Sequence, residues 1–388
     1  MILTAMPKTD PKNNVQLDAL VLGEHPAAYL AAALLRHKSK LRVLHSLIPN
    51  EHVPDRLVVL NPKLFELHKL LEPLKRRLDM TAIYGMQFLG NDTATRSEHR
   101  AKSTMAYVAA YKDVRAAFMK MAQDEGVDFV MPKTLQVHRV QDTGLDVTIG
   151  KGHAHPRLLV LCGPLGEPEQ RILGLPEAWG PDVVQRYTFL KLRGAKWADL
   201  GSRPTIPMSL DLDGQLHWAW LIPHEGQVQL VVVQPVESLN QVKPLELLAR
   251  WVEMLRKHGI LHQTKGEAPL DQAESMDLPL AGALMHEGLA NRTLLVGPAG
   301  GFYSASGEDI YPNCWSALYA ADVIKKALKE PHLQDALHPY RQRWRTTLGD
   351  YLRGPQQNLR FLLPLVYRNQ VMTTRLAEAI LLGQSMIR

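Results

Sequence analysis

Gly23-Glu24-His25-Pro26-Ala27-Ala28 joins a short apolar run, Asp18–Gly23, to an Ala/Leu-rich stretch that carries proline in its first turn. In a strand–turn–helix of this spacing a first glycine makes the bend, a second admits phosphate oxygens, and a small third residue lets the helix sit close to the strand. Gly23 and Ala28 keep the first and third features, while His25 stands where a phosphate would approach. A plain strand–turn–helix explains the spacing equally well. Far downstream, Leu294 to Tyr311 (LLVGPAGGFYSASGEDIY) reads as a strand ending at Gly297, then Pro298, Gly300, Gly301 and Gly307 before a helix. Glycines so placed bring backbone close to a ligand, and a helix N-terminus offers N–H groups to anionic atoms. Trp218 and Trp220 alternate with Ala219, so both rings face one side of a strand that runs to Pro223.

Other chemistry is sparse. His153 and His155 sit two apart, without a neighbouring carboxylate or thiol to complete a metal site, so they read as polar hairpin residues and no metal is expected. Cys162 and Cys314 are too few and too distant for a disulfide framework and read as buried thiols. No Ser-His-Asp motif, phosphate-binding P-loop or zinc spacing is visible. No nucleic-acid partner is expected. Apolar residues are 46% and charged residues 22% of the 388, an ordinary globular balance. No apolar run approaches the ~18 residues that span a bilayer, and the first residues lack a signal-peptide core, so a cytoplasmic protein is expected. The net charge is +6, and from Pro339 to Arg388 arginine is the only strong cation. That segment reads as a solvated helical face, or as a contact for an anionic membrane surface or an acidic partner.

The elements that must position these residues follow from the pattern. Asp18–Gly23, Pro26–His37 and Leu41–His45 make a β-α-β unit. Residues 48–103 are mixed, with a helical piece around Asn61–Arg77. Tyr111–Glu125 is an amphipathic helix, with Val114, Phe118 and Met121 on one face and Gly126 as its stop. A β-meander follows over 127–149, then a buried strand at Arg157–Cys162. From about Pro181 four strands (186–193, 205–212, 215–222 and 227–234) indicate an antiparallel sheet, with Asp213-Gly214 as a hairpin turn. Helices are expected at Pro244–His258, from about Glu308 to Lys329, and from His338 onward with a break near Gly354-Pro355.

The segment 294–311 resembles the C-terminal flavin motif of geranylgeranyl reductases and their relatives, roughly LLVGDAAGFxxPxxGEGIxxA, and continues through Ala317, Ala320 and Ala321. His217-Trp-Ala-Trp-Leu-Ile-Pro223 resembles the WxWxIP signature of flavin halogenases, and Arg157–Pro176 resembles the family's Asp-Gly segment ending in RxLGLP. Tyr340-Arg-Gln-Arg-Trp344 and Tyr367-Arg-Asn369 resemble C-terminal helices of the reductases. The resemblance runs from Asp18 to the end. It implies an α/β fold, with a Rossmann-like FAD-binding domain of the glutathione reductase and hydroxybenzoate hydroxylase type over 16–180 and 280–330. An inserted antiparallel-sheet substrate domain is expected over 181–279 and a helical segment over 331–388. It implies FAD, with NAD(P)H as an electron donor, and a small apolar substrate, isoprenoid or aromatic, under Trp218, Trp220 and Pro223. The implied cofactor contacts are Gly23, His25, Pro26, Ala27, Ser46, Tyr111, Gly297, Pro298, Gly300, Gly301 and Gly307. No motif selects a halogenase lysine among Lys63, Lys69 and Lys75, and no catalytic residue is assigned.

Six positions depart from the family pattern. His25 replaces the second glycine. His45 or Ser46 stands where an acid binds the adenosine ribose. Tyr111 replaces an arginine that reaches the phosphates, and Gly163 the Asp of Asp-Gly. Pro298 replaces the Asp that binds the ribityl chain, and Asp309 replaces a glycine. Each falls on a residue whose family role is to touch FAD. Two functions are therefore expected as alternatives: an FAD-dependent oxidoreductase, or a flavin-free binding or accessory protein on the same fold.

Overall fold

The computed structural model describes residues 15–48, 54–175, 184–193, 202–212, 216–262, 269–279, 288–304, 307, 310–353 and 359–384. Five apolar strands form a parallel sheet in the spatial order Thr293–Leu295, Gly152–Leu161, Val15–Leu22, Val43–Ser46, Asp128–Val130. Runs such as Ala19–Leu22 and Leu158–Leu161 are apolar without alternation because both faces of a parallel sheet are covered. On one face lie the helices Pro26–Arg36, Tyr111–Asp124 and Ile310–Ala327, packed on Ala19, Val21, Leu158 and Val160. On the other lie the meander strands Leu135–Gln141 and Gly144–Ile149 with the short helix Glu167–Leu173, packed on Leu20, Leu22, Leu159 and Leu161. The Rossmann-like arrangement implied by the resemblance is present.

A second sheet has seven strands in the order Glu274–Pro279, Val184–Arg193, Gln227–Pro235, Leu216–His224, Thr205–Asp211, Gly85–Leu89, Arg96–Arg100. It is antiparallel except where Thr205–Asp211 meets Gly85–Leu89. Its last two strands come from the stretch that the sequence leaves as mixed, so the sheet draws on chain far upstream of 181. One face, with Ala219 and Leu221, is covered by the helix Pro244–Lys257; its Trp251 is fully buried and donates its indole N–H to the Trp220 carbonyl at 2.9 Å. The other face, with Trp218 and Trp220, is covered by a small sheet (Leu57–Leu60, Thr81–Ile83, Ala106–Ala110) and the helices Leu359–Arg368 and Gln370–Leu382.

Two expectations about helices change. The helical piece at Asn61–Arg77 is a 3-10 turn, Pro62–Glu66, and a single turn, Leu74–Arg77. Pro73 lacks the N–H a continuous helix would need there. The tail breaks again at Asn369, whose Oδ1 accepts from the Val371 and Met372 amides and starts a new helix. The Asp213-Gly214 turn and the Gly354-Pro355 break lie outside the described residues. Among those residues, no helix is long and apolar enough to cross a membrane.

Candidate functional site

Ligands of open parallel sheets bind beyond the carboxyl ends of the strands. Here that edge gathers the 23–28 turn, the ends of the second and fourth strands in chain order, and the 297–301 segment. Gly23 makes the bend at φ +123°, and a Cβ on it would lie 3.0 Å from the Cys162 carbonyl carbon and the Gly163 nitrogen. Only glycine fits this approach.

His25 is the N-cap of the first helix. Its backbone is extended and its Nδ1 accepts the Ala27 amide at 3.1 Å. Pro26 has no N–H, and the Ala28 amide donates to the His25 carbonyl at 2.8 Å. The donors that would hold a pyrophosphate are therefore absent or engaged within the turn. The His25 ring is buried, with its centroid 6.2 Å from that of Tyr111. Its Nε2 lies 3.5 Å from the Asn313 amide nitrogen. Because Nδ1 accepts, the neutral ring carries its proton on Nε2.

The ribose position is also remade. His45 is fully buried, its Nε2 donating to the Gly23 carbonyl at 2.7 Å, and its ring packs on Tyr29 and Phe129 at 4.7 and 5.0 Å. Burial lowers its pKa to about 4, with the Gly23 hydrogen bond working the other way. Ser46 is buried too, and its hydroxyl donates to the Leu47 carbonyl at 3.2 Å. Neither residue supplies a carboxylate to a diol.

At the mouth of the turn, Glu24 pairs with Arg115, one helical turn beyond Tyr111. Burial raises the Glu24 pKa, and Arg115 opposes that shift. The cation that the resemblance places at Tyr111 has thus moved on one turn and is neutralised by the chain itself. Tyr111 packs under the buried guanidinium of Arg56, which lies 4.7 Å from its ring centroid and 5.9 Å from that of Tyr187.

On the opposite wall Gly297 keeps φ +61°, but what comes close to it is this protein: an added Cβ would meet Ala27 Cβ at 3.1 Å and His25 Nδ1 at 3.6 Å. The Gly297 amide donates to Ser316 Oγ at 2.9 Å. Pro298 opens a 3-10 turn closed by the Gly301 amide on its carbonyl. A Cβ on Gly300 would strike the Phe302 ring at 2.4 Å, and one on Gly307 the Tyr187 ring at 2.7 Å. Glu308 and Asp309 lie outside the described residues.

The structure brings Gly23, His25, Ala27, Ser46, Tyr111 and Gly297 together at one edge, where they largely contact each other, while Gly307 packs on Tyr187 of the second sheet. Among the implied contacts, no described residue offers FAD a phosphate-binding amide of the first turn, a ribose carboxylate or a ribityl carboxylate. These residues do not fit FAD held in the manner the resemblance implies. Glu24, Arg56, Arg115 and Asn313 escaped the sequence reading. Only Glu24 carried a signal there, as a charge inside the turn.

Trp218 and Trp220 face the same core, as their alternation requires, and both are buried. The Trp220 indole N–H has no hydrogen-bond partner. Pro223 is buried near the strand end, paired with Val228. His153 is exposed and His155 half-buried; no metal-binding group of His, Cys, Asp and Glu occurs among the described residues.

No protein-family model matches the chain, and no curated protein matches it. Solved structures do. A geranylgeranyl bacteriochlorophyll reductase-like protein from Thermoplasma acidophilum aligns over 94% of this chain and 88% of its own, at 14% identity and a TM-score of 0.67. The flavin-dependent brominase Bmp2 aligns over 95% and 92%, at 16% identity and a TM-score of 0.62. PqsL, a probable FAD-dependent monooxygenase from Pseudomonas aeruginosa, aligns over 91% and 100%, at 15% identity and a TM-score of 0.65. The chain therefore carries, over nearly its whole length, the fold these structures share.

Proposed function

We propose that this chain is a small-molecule binding or accessory protein built on the flavin-oxidoreductase fold, with its dinucleotide groove closed by its own side chains. One observation carries the reading: the His25 ring takes the Ala27 amide, so the first helix presents no free amide to a phosphate in its opening turn. The ligand is apolar with a hydrogen-bond acceptor, matched to the buried Trp220 N–H within a mainly apolar core that also holds Tyr187 and Tyr303. An isoprenoid alcohol or an aromatic ketone has that chemistry. We place the protein in the cytoplasm.

A second reading is favoured by the retained glycines at 297, 300, 301 and 307 and by the flavin enzymes that share the fold. It is an FAD-dependent oxidoreductase acting on the same class of apolar substrate, with NAD(P)H as donor. The absorbance spectrum of the purified protein, followed by titration with FAD, separates the two. The first reading expects a colourless protein with negligible FAD uptake. Stoichiometric flavin on purification, or saturable uptake below about a micromolar, the range typical of a specific cofactor complex, establishes the second.

A further inference from the structure

The helices Leu359–Arg368 and Gln370–Leu382 lie over Arg96–Arg100, the edge strand of the seven-stranded sheet. The Tyr367 hydroxyl donates to the Leu89 carbonyl at 3.1 Å, and Gln370 Nε2 donates to the Glu98 carbonyl at 2.9 Å. Thr374 Oγ1 hydrogen-bonds His99 at 3.0 Å. These bonds fix which face of the pair meets the sheet. Leu359, Leu363 and Val366, at i, i+4 and i+7, are buried against it.

The outward face of the first helix should then be polar, and it is not. Phe361 is 81% exposed, Leu365, one turn on, is 49% exposed, and Val371 at the start of the next helix is 58% exposed. Pro364 is exposed between them. Three of the five large exposed hydrophobic residues of the described chain thus fall within one short stretch. Cations border it: Arg368 is exposed, Arg375 is half-buried, and Arg96 and Arg100 are exposed on the adjoining edge strand. The acids nearby are Glu98, paired with Arg100, the half-buried Glu378, and Asp92 and Asp211, which lie close enough to act on the Tyr367 hydroxyl.

We propose that this face docks on an anionic lipid bilayer, with Phe361 and Leu365 entering the boundary between headgroups and acyl chains and the arginines meeting lipid phosphates. A stable protein interface buries roughly 800 Å² per partner. Phe361 and Leu365 on one helix face, with Val371 exposed at the start of the next helix, offer much less, whereas shallow membrane attachment needs only a few apolar side chains and a basic margin. The docking is independent of whether flavin binds.

Co-sedimentation of the full chain with vesicles tests it, using phosphatidylcholine alone and phosphatidylcholine mixed with phosphatidylglycerol. The wild type is expected to sediment with the mixed vesicles, and about ten-fold or more weakly with phosphatidylcholine alone or at high salt. Phe361→Ser/Leu365→Ser should weaken binding to mixed vesicles by about ten-fold or more, with an unchanged thermal melt because both side chains are exposed. Arg368→Glu, which leaves the apolar stripe intact, should also weaken it. Failure of the wild type to sediment, or equal binding by the serine variant, overturns the proposal. So does a wild-type dimer that the serine variant turns into a monomer in analytical ultracentrifugation, since the face would then belong to a second copy of the chain.

Discussion

Replacing His25 with glycine removes the internal cap and returns the turn to a phosphate-accepting sequence. Two opposed effects follow. The first is on stability. The variant loses the Nδ1 bond to Ala27, the contact with Tyr111 and the filling above Gly297. Glycine is itself a tolerable N-cap, so the capping loss is small. The lost packing of a buried ring adds to it, for a total of about 1–3 kcal/mol. The second effect is on dinucleotide affinity. A nanomolar FAD complex is worth about 12 kcal/mol. Three or four missing charge-assisted contacts at roughly 1.5–3 kcal/mol each remove on the order of 5–10 kcal/mol. That leaves the wild type with a Kd of about ten micromolar at the tightest. Freeing the Ala27 amide and the space over it restores one such contact, so FAD or ADP should bind the variant about 10–100-fold more tightly than the wild type. Urea unfolding reads the first effect, and flavin fluorescence quenching with calorimetry reads the second. A stability loss without any gain in affinity would refute the idea that His25 is what closes the cradle. Tight FAD binding by the wild type, weakened by the substitution, would reverse it.

Two further variants probe how the site is built. Trp251→Phe removes the N–H that satisfies the Trp220 carbonyl from a fully buried position, and should cost about 2–4 kcal/mol in urea unfolding at neutral pH. His45 is held neutral in the folded state, with its pKa near 4 against about 6.5 when unfolded. Between those values the unfolded chain binds the extra proton, so stability is whole above the unfolded pKa and falls as pH drops toward 4. The loss between pH 7 and pH 5 is about 2 kcal/mol, and His45→Gln, which keeps a donor for Gly23 without a titrating ring, should flatten that limb when unfolding is compared at the two pH values.

The fold was legible because it rests on features that are local in sequence. Ala19–Leu22 and Leu158–Leu161 announce buried parallel strands, Gly23 and Ala28 announce the turn, and the alternation at Trp218 and Trp220 correctly puts both rings on one face. The site was legible as a set of positions but not as a state. Read in sequence, His25 is an obstruction; that it is also a cap depends on which ring nitrogen faces Ala27. His45 and Ser46 could not be separated as the ribose residue, because neither side chain faces a ligand: one turns under the first helix and the other bonds its neighbour. Arg56 sits in a stretch with no periodicity, and Glu24 meets Arg115 only through the fold.

That geometry bears on how the six departures relate to one another. Scattered loss of ligand contacts would leave buried donors and acceptors facing an empty groove, and each would cost roughly 1–3 kcal/mol. Some of that cost remains, at His45 Nδ1, Arg115 Nε and Asn313 Oδ1, but several of the changes complete each other. The His25 ring occupies the amide that phosphate would have used, and its other nitrogen lies beside the Asn313 amide. The cation absent at Tyr111 stands one turn on at Arg115, where Glu24 neutralises it, and Tyr111 becomes a platform for Arg56. Gly297 admits Ala27 and His25. Reverting one residue of such a set strains its partners, so single restorations should recover affinity only in part. Recovery of a flavin site would need His25, Glu24 and Tyr111 changed together, because those three hold the turn's amides, its charge balance and its far wall.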